Sequence, residues 1–263
     1  ILEIGMIRTP LATTLVKVMA RVVSALSHLT TPITESIRER LLELGLSRTK
    51  LEVVELAIDT GYFRPQPPRF RDDRFRGKFV AEYSGIIGPK YDFASLINAA
   101  KIIGQKNRRV LILVRGEGEW LSYVKRAASS MENILVLDKI ESADRVLDYL
   151  NAADVLLCPM RDLKETSTIV PSKVLEYLAV GKPVVCAGRG ETETLVKEYM
   201  PGVMVRPGDP EALAEAILML ESNREFYEAS ARNARELALR RYGLSRLSHK
   251  IEALAAHEVD KPD

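Results

Sequence analysis

The chain has 263 residues, 46% of them hydrophobic and 28% charged, enough to bury its own core as one large domain or two small ones. Its 38 Lys plus Arg nearly cancel 36 Asp plus Glu, and a net charge of +2 excludes the global basic field that would recruit nucleic acid, so any anion must be bound locally. The absence of an eighteen-residue apolar run and of a signal-peptide pattern argues against a membrane span.

From Pro10 to Leu29, apolar residues recur at Leu11, Leu15, Val18, Met19, Val22, Leu26 and Leu29, the spacing of one helical face. Lys17, Arg21, Ser24 and His28 line another side. Two readings stand: a helix packed on a domain core, or one lying on a membrane surface. A second helix, from Pro32 or Thr34 to Leu44, stops at Gly45. LEVVELAI, residues 51–58, reads as a buried strand. Residues 64–78 carry three prolines and six basic residues with no apolar periodicity, which marks a linker and a domain boundary.

The pattern then becomes regular. Strand-like KFVAEYSG precedes a helix from Asp92 to Ile103, RRVLILVRG one from Glu119 to Met131, and NILVLD one from Ala143 to Asn151. DVLLCP precedes a helix opening at Pro171, and PVVCA one from Thr192 to Tyr199. GVMVRP leads to a helix from Pro210 to Glu221, two further helical stretches that can cross back toward the N-terminal part, and a polar tail, HEVDKPD. This alternation is the signature of an α/β fold, a Rossmann-like doubly wound parallel sheet. Cys158 and Cys186 sit in apolar runs and read as small buried hydrophobes, with no disulfide framework or zinc spacing, which fits a cytoplasmic protein.

In such a sheet, ligands bind outside the carboxyl ends of the strands. Three loops there carry candidates. In YSGIIGPKYDF, Gly85 and Gly88 allow close backbone approach and Lys90 offers a cation. VRGEGEW brings Gly116 and Gly118 but lacks the spacing of a dinucleotide fingerprint. The third is the start of the Pro171 helix, where Pro171 suits the first turn. Lys173 there opposes the helix dipole, a penalty that a bound anion would reverse. Ser172, its N–H and that of Lys173 could hold a phosphate with the ammonium, and Glu176 lies on the same side. The bland alternative is a Lys173–Glu176 surface pair, and spacing alone leaves the two even.

PSKVLEYLAVGKPVV, then GRGETETLV and GVMVRPGDPEALAEAI, closely resemble the C-terminal half of the retaining glycosyltransferases of family four, which have the two-domain GT-B fold. EYSGIIGPKYDF is similar to that family's first donor-domain loop, with the nearest likeness to the subgroup that builds bacterial surface polysaccharides, such as fucosamine transferases. ITESIRERLLELGLSRTKLEVVELAIDTGYFRP resembles the end of the family's N-terminal domain, with Asp59, Phe63 and Pro65 keeping its frame. The likeness runs from about Thr30 to Glu236. It implies residues 1–65 as a remnant of the acceptor domain, 66–78 as linker, 79–240 as the nucleotide-sugar donor-binding domain and 241–263 as a C-terminal helix and tail. The chain begins with Ile1, and the resemblance places a further acceptor domain, or a partner subunit, ahead of it.

The resemblance implies that Glu176 binds the ribose hydroxyls of a nucleotide sugar and that Lys90, Lys173 and the Pro171–Ser172 end of the helix face the diphosphate. Gly85 and Gly88 would permit the approach, and Gly116 to Gly118 with Asp138, Lys139 and Ile140 would flank the base. Two departures stand out: where the family has the first Glu of a Glu-x7-Glu motif this chain has Thr168, and Ile86 replaces the usual Arg. Glu165 or the Ser/Thr run 166–168 would have to substitute. The implied reaction moves a sugar from a nucleoside diphosphate to an acceptor hydroxyl, lipid-linked or polysaccharide, with retention, at the inner face of the membrane. No cofactor or metal is expected, since no carboxylate cluster supplies oxygen ligands. Rival readings are a non-catalytic nucleotide-binding or scaffold subunit and a sugar-nucleotide epimerase. The latter would need acid and base groups, and none of the three His lies in a strand-end loop.

Overall fold

Short apolar runs rich in Val, Ile and Leu become strands because they are too brief for helices and are bounded by Gly, Pro or Asp. A computed structural model describes residues 10–69, 72–140 and 142–259. Six strands, β1 (Phe79–Ile86), β2 (Val110–Glu117), β3 (Ile134–Asp138), β4 (Val155–Pro159), β5 (Val184–Ala187) and β6 (Gly202–Val205), lie in the order β3-β2-β1-β4-β5-β6. Every neighbouring pair is parallel. This is the expected Rossmann-like doubly wound sheet. The direction of winding reverses between β1 and β4, so a crevice opens at the carboxyl ends of those two strands.

Both faces of the sheet are covered. On one, α3 (Phe93–Lys106), α4 (Leu121–Ala128) and α8 (Pro210–Ser222) pack through Phe93, Leu96, Val124, Leu213 and Ile217. On the other, α5 (Ala143–Ala152), α6 (Ser172–Ala179), α7 (Glu191–Tyr199) and α9 (Arg224–Arg241) pack through Leu147, Leu178, Leu195 and Leu237. Most starts carry a side-chain cap: Asp92 accepts from the Ser95 N–H, Ser142 from Arg145, Asp209 from Ala212 and Asn223 from Phe226. Helix α6 begins after Pro171 with no side-chain cap. Both cysteines are buried and free, side by side on β4 and β5.

The N-terminal part holds α1 (Pro10–Leu26) and α2 (Glu35–Glu43), the latter capped by Thr34 and followed by Gly45 at φ +87°. Residues 51–58 do not form the expected strand of a sheet. Leu51 makes an isolated bridge to Thr30 and Ile58 another to Gly243. The segment facing them reaches Pro32 and then turns into the cap of α2, so no ladder can propagate. Helix α1 is also oriented against the expectation of a core-packed face. Its polar side lies inward, with Arg21 donating to the Leu44 carbonyl and Ser24 buried, while Leu11, Leu15, Met19, Val22 and Leu26 are exposed. No helix among the described residues is long and apolar enough to cross a membrane.

Residues 64–69 are laid along α5: the Gln66 N–H donates to Asn151, and Arg69 pairs with Asp148 at 3.3 Å. At the other end, α10 (Leu244–Val259) crosses back, and Lys250 pairs with Glu52 at 3.2 Å. The start of the expected polar tail is thus helical. Its last residues, 260–263, lie outside the described residues.

Candidate functional site

The loops leaving β1 and β4 meet at the crevice and are fastened to each other. The Asp92 N–H donates to the Pro159 carbonyl at 2.7 Å and the Arg161 N–H to that of Lys90 at 3.0 Å, while Tyr91 bridges Met160. Parallel strands on either side of a switch point diverge in their connections, so these bonds fix how wide the crevice floor is. Helix α6 starts beside this floor.

Lys173 occupies the crevice in a way that spacing did not reveal. Its ammonium lies 3.9 Å from the ring centroid of Tyr83 on β1 and 4.0 Å from that of Tyr91. The Nζ atom is buried and hydrogen-bonds to nothing. It is pressed against Gly85, where φ is +133°, so the backbone favours glycine, and where an added Cβ would stand 2.8 Å from Nζ and displace the end of the lysine. Burial holds the Lys173 amine down at about 8, partly opposed by Cys158 and Glu176. The Lys173–Glu176 surface pair is therefore not what forms.

Beneath the crevice lies a second buried charge system. Arg115 on β2 donates to Glu82 on β1 at 2.7 and 3.0 Å and to the Ser84 hydroxyl at 2.8 Å, and its guanidinium stacks 5.0 Å from the Tyr149 ring. Burial pushes the Glu82 carboxyl up, against the pull of Arg115. Glu176 is half-buried nearby, its carboxyl likewise raised by burial and lowered by Lys173 and Arg115. Tyr177 links α6 to β1 by donating to the Ser84 carbonyl at 3.2 Å and accepting from the Ser84 N–H at 3.1 Å.

The remaining candidates have mixed placements. Lys90 and Ser172 are exposed at the crevice rim, and Pro171 is buried at the helix start. Gly88 has only ordinary van der Waals space around it, whereas Gly116 and Gly118 pack onto the β1 loop: added Cβ atoms would stand 1.7 Å from the Gly85 oxygen and 2.4 Å from the Ile87 oxygen. Their glycine identity is explained by backbone packing without a ligand. Asp138 pairs with Lys125 at 2.7 Å and Lys139 with Glu117 at 2.9 Å, and Ile140 packs partly into the core. These three sit at the exit of edge strand β3, two strands from β1. In the loop before α6, the hydroxyls of Thr166, Ser167 and Thr168 all donate to loop carbonyls and are engaged within the loop, and Glu165 stands half-buried beside them.

A cavity of about 260 Å³ lies elsewhere, between α2, residues 52–56 and α7, lined by Arg38, Glu55, Glu191 and Arg241 but by none of the expected site residues. Among the described residues no group of three or more His, Cys, Asp or Glu is arranged to hold a metal ion. The residues sequence reasoning missed are Tyr83, Tyr91, Glu82 and Arg115. A signal existed for the last two: strands covered on both faces read as continuous apolar runs, and these charges interrupt them. The arrangement offers an uncapped helix start, a rim lysine and a buried ammonium with unengaged donors, all of which favour an anion.

Comparison with known proteins gives the same direction. The amylovoran biosynthesis glycosyltransferase AmsK of Erwinia amylovora is 23% identical over 199 residues, covering 74% of this chain and 48% of that protein. The chain spans about half the length of the curated relatives it matches. Among solved structures, Alr3699/HepE of Anabaena in complex with UDP is 18% identical, with a TM-score of 0.78, covering 95% of this chain and 70% of that one. The C-terminal domain of a group 1 glycosyl transferase, LpcC of Francisella tularensis, is 21% identical with a TM-score of 0.57, covering 71% of this chain and 98% of that domain. These likenesses establish the fold. The family described as Glycosyl transferases group 1 matches residues 82–223, more than half of the sequence, and the chain belongs to that family.

Proposed function

We propose that this chain supplies the donor-binding part of a glycosyltransferase that moves a sugar from a nucleoside diphosphate to an acceptor hydroxyl, with retention at the anomeric carbon. One observation carries the reading: at the switch point of the sheet, an ammonium without a hydrogen-bond partner lies buried at the uncapped start of a helix. As the glycosidic bond to the donor breaks, negative charge grows on the departing diphosphate. Fixed cations and helix N–H groups stabilise that charge without having to reorganise. Lys173 supplies the inner cation, Lys90 the rim cation, and the N–H groups of Ser172 and Lys173 the dipole end. Glu176 accepts from ribose hydroxyls, the role its place one turn along α6 allows. Glu165 is then the remaining carboxylate of its loop for the sugar.

The names of the relatives support polysaccharide biosynthesis as the setting, through AmsK and a putative colanic acid biosynthesis glycosyltransferase, WcaL, of Escherichia coli. We extend this to a nucleotide sugar as donor, without a resident metal, and to a lipid-linked or polysaccharide acceptor held largely by a domain or subunit outside residues 1–263, at the inner face of the membrane. Calorimetric titration with UDP, GDP and ADP tests the reading. One base should bind preferentially, and Lys173→Ala should weaken that diphosphate at least tenfold while leaving its nucleoside within twofold. Equal diphosphate affinity with and without Lys173 would remove it from the site. A second reading, a scaffold subunit without turnover, is favoured by Thr168 and Ile86. Absence of any nucleotide binding would select it.

A further inference from the structure

A primary ammonium removed from water with no acceptor is costly, and a carboxylate partner is the usual remedy. Lys173 has a different one. Two tyrosine ring faces lie 3.9 and 4.0 Å from its nitrogen, and a cation so placed in a desolvated setting is attracted by the ring quadrupoles. The rings are themselves held. Tyr83 donates its hydroxyl to the Ile86 carbonyl, closing over the Gly85 turn. Tyr91 is fixed by its N–H on the Gly88 carbonyl, at 3.1 Å, and by its bridge to Met160. The two rings meet edge to face at 5.2 Å, and Tyr83 meets Phe93 at 5.0 Å in the same way.

The difference between the remedies is chemical. A carboxylate would place the ammonium but neutralise it and engage its N–H groups. Ring faces place it and leave its charge unneutralised and its N–H groups unpaired. We infer that Tyr83 and Tyr91 are positioning residues, an aromatic clamp that holds the Lys173 ammonium buried against Gly85 with its N–H groups unpaired, so that its charge serves the diphosphate of a nucleotide ligand. The inference rests on the donor-site reading above and adds to it the part that fixes the cation. A side chain at Gly85 would displace the ammonium from between the rings. The titratable groups facing Lys173 are the two tyrosines, Cys158 from β4 and Glu176 from its own helix.

The test uses the 263-residue chain with Tyr91→Phe, which keeps the ring, Tyr91→Leu, which removes it, and Lys173→Ala. UDP and inorganic pyrophosphate are titrated calorimetrically, with uridine as control. Separately, without ligand, the Lys173 amine is titrated by NMR of 13C-labelled lysine, assigned by its loss in Lys173→Ala. The wild-type amine should titrate near 8, as should that of Tyr91→Phe. In Tyr91→Leu the charged amine loses a ring face while an apolar side chain keeps the site dry, and the amine should titrate below the wild-type value. Tyr91→Leu should weaken pyrophosphate and UDP about tenfold and leave uridine within twofold, and Tyr91→Phe should match wild type. Tyr91→Met replaces Tyr91→Leu if the latter does not fold. An unchanged amine titration with unchanged pyrophosphate affinity in Tyr91→Leu overturns the clamp, even where Lys173→Ala abolishes UDP binding and so upholds the donor site. If Lys173→Ala binds UDP as wild type does, the donor site falls, and the clamp as a device for a diphosphate falls with it.

Discussion

Lys173 is buried as a cation, and its proton couples stability and binding in opposite senses. Below about pH 8 the amine is charged in both folded and unfolded chains. Between about 8 and the ordinary value of 10.5, the folded chain has released a proton that the unfolded chain keeps. Unfolding free energy should therefore rise with pH across that window, by up to roughly 3 kcal/mol in total. Diphosphate affinity should fall over the same range, because it needs the charged form. Lys173→Met separates the two effects: it fills the slot between the rings with an uncharged side chain. Urea unfolding of both proteins at pH 7 and 9.5 should show Lys173→Met more stable at pH 7, with the difference shrinking at pH 9.5. UDP binding should be weakened at both. A variant less stable than wild type at pH 7 would show that the ammonium stabilises the fold, contrary to the sense of its shift. The sequence marked Lys173 as out of place in a first turn, and that much of the site was legible. Its tyrosine neighbours were not, since they come from a strand and a loop some ninety residues away, and only the sheet order brings them together.

Among the elements, β1 and β2 carry the clearest test of what the buried charges do. Glu82 and Arg115 are wholly within the body of the protein, and the second carboxylate oxygen of Glu82 has no partner. Removing one member of such a pair leaves the other charge uncompensated, at a cost of about 3–5 kcal/mol, whereas replacing both by apolar groups is often near neutral. Arg115→Met alone should thus destabilise strongly, while Glu82→Leu with Arg115→Met should recover most of the loss, measured by urea unfolding of the full cycle. Failure of the double variant to recover would mean that the bond from Arg115 to Ser84, rather than the charge pair, ties β1 to β2. The strands and helices of this layer were readable because each apolar run is short, four of the helix starts have their Asp, Ser or Asn, and the two alternate. Residues 51–58 had the same local signal and failed for lack of a partner of matching length, which is a property of the surroundings and not of the run itself. At Gly116 and Gly118 glycine beside a strand end pointed to a ligand, and the structure adds a close approach of the neighbouring loop that requires glycine at both.

At the scale of the whole molecule, the N-terminal segment is joined to the sheet domain by polar contacts. Thr34 donates to the Thr168 carbonyl at 2.6 Å, the Ser36 N–H to Glu191 at 2.9 Å, and the Ile58 N–H to the Tyr242 carbonyl at 2.7 Å, while Arg241 pairs with Glu55 at 2.7 Å. The first of these holds the loop that leads into α6, so the placement of the N-terminal segment and the shape of the crevice are linked through residue 168. Helix α1 takes little part in this. Leu11 and Leu26 are 82% and 81% exposed, and most of the apolar stripe that the sequence displays so plainly is exposed. Periodicity reveals that a face is apolar and not what it meets. Stability of the chain should therefore be nearly indifferent to that stripe. The double variant Leu15→Ser with Val22→Ser should stay within about 0.5–1 kcal/mol of wild type, the range of surface substitutions. Leu178→Ala, on the inward face of α6, removes a fully buried side chain and should cost about 2–5 kcal/mol. Urea unfolding at two protein concentrations makes the comparison. Similar losses for both variants would show that the stripe is covered in solution, and a loss that grows with protein concentration would show that a second copy covers it.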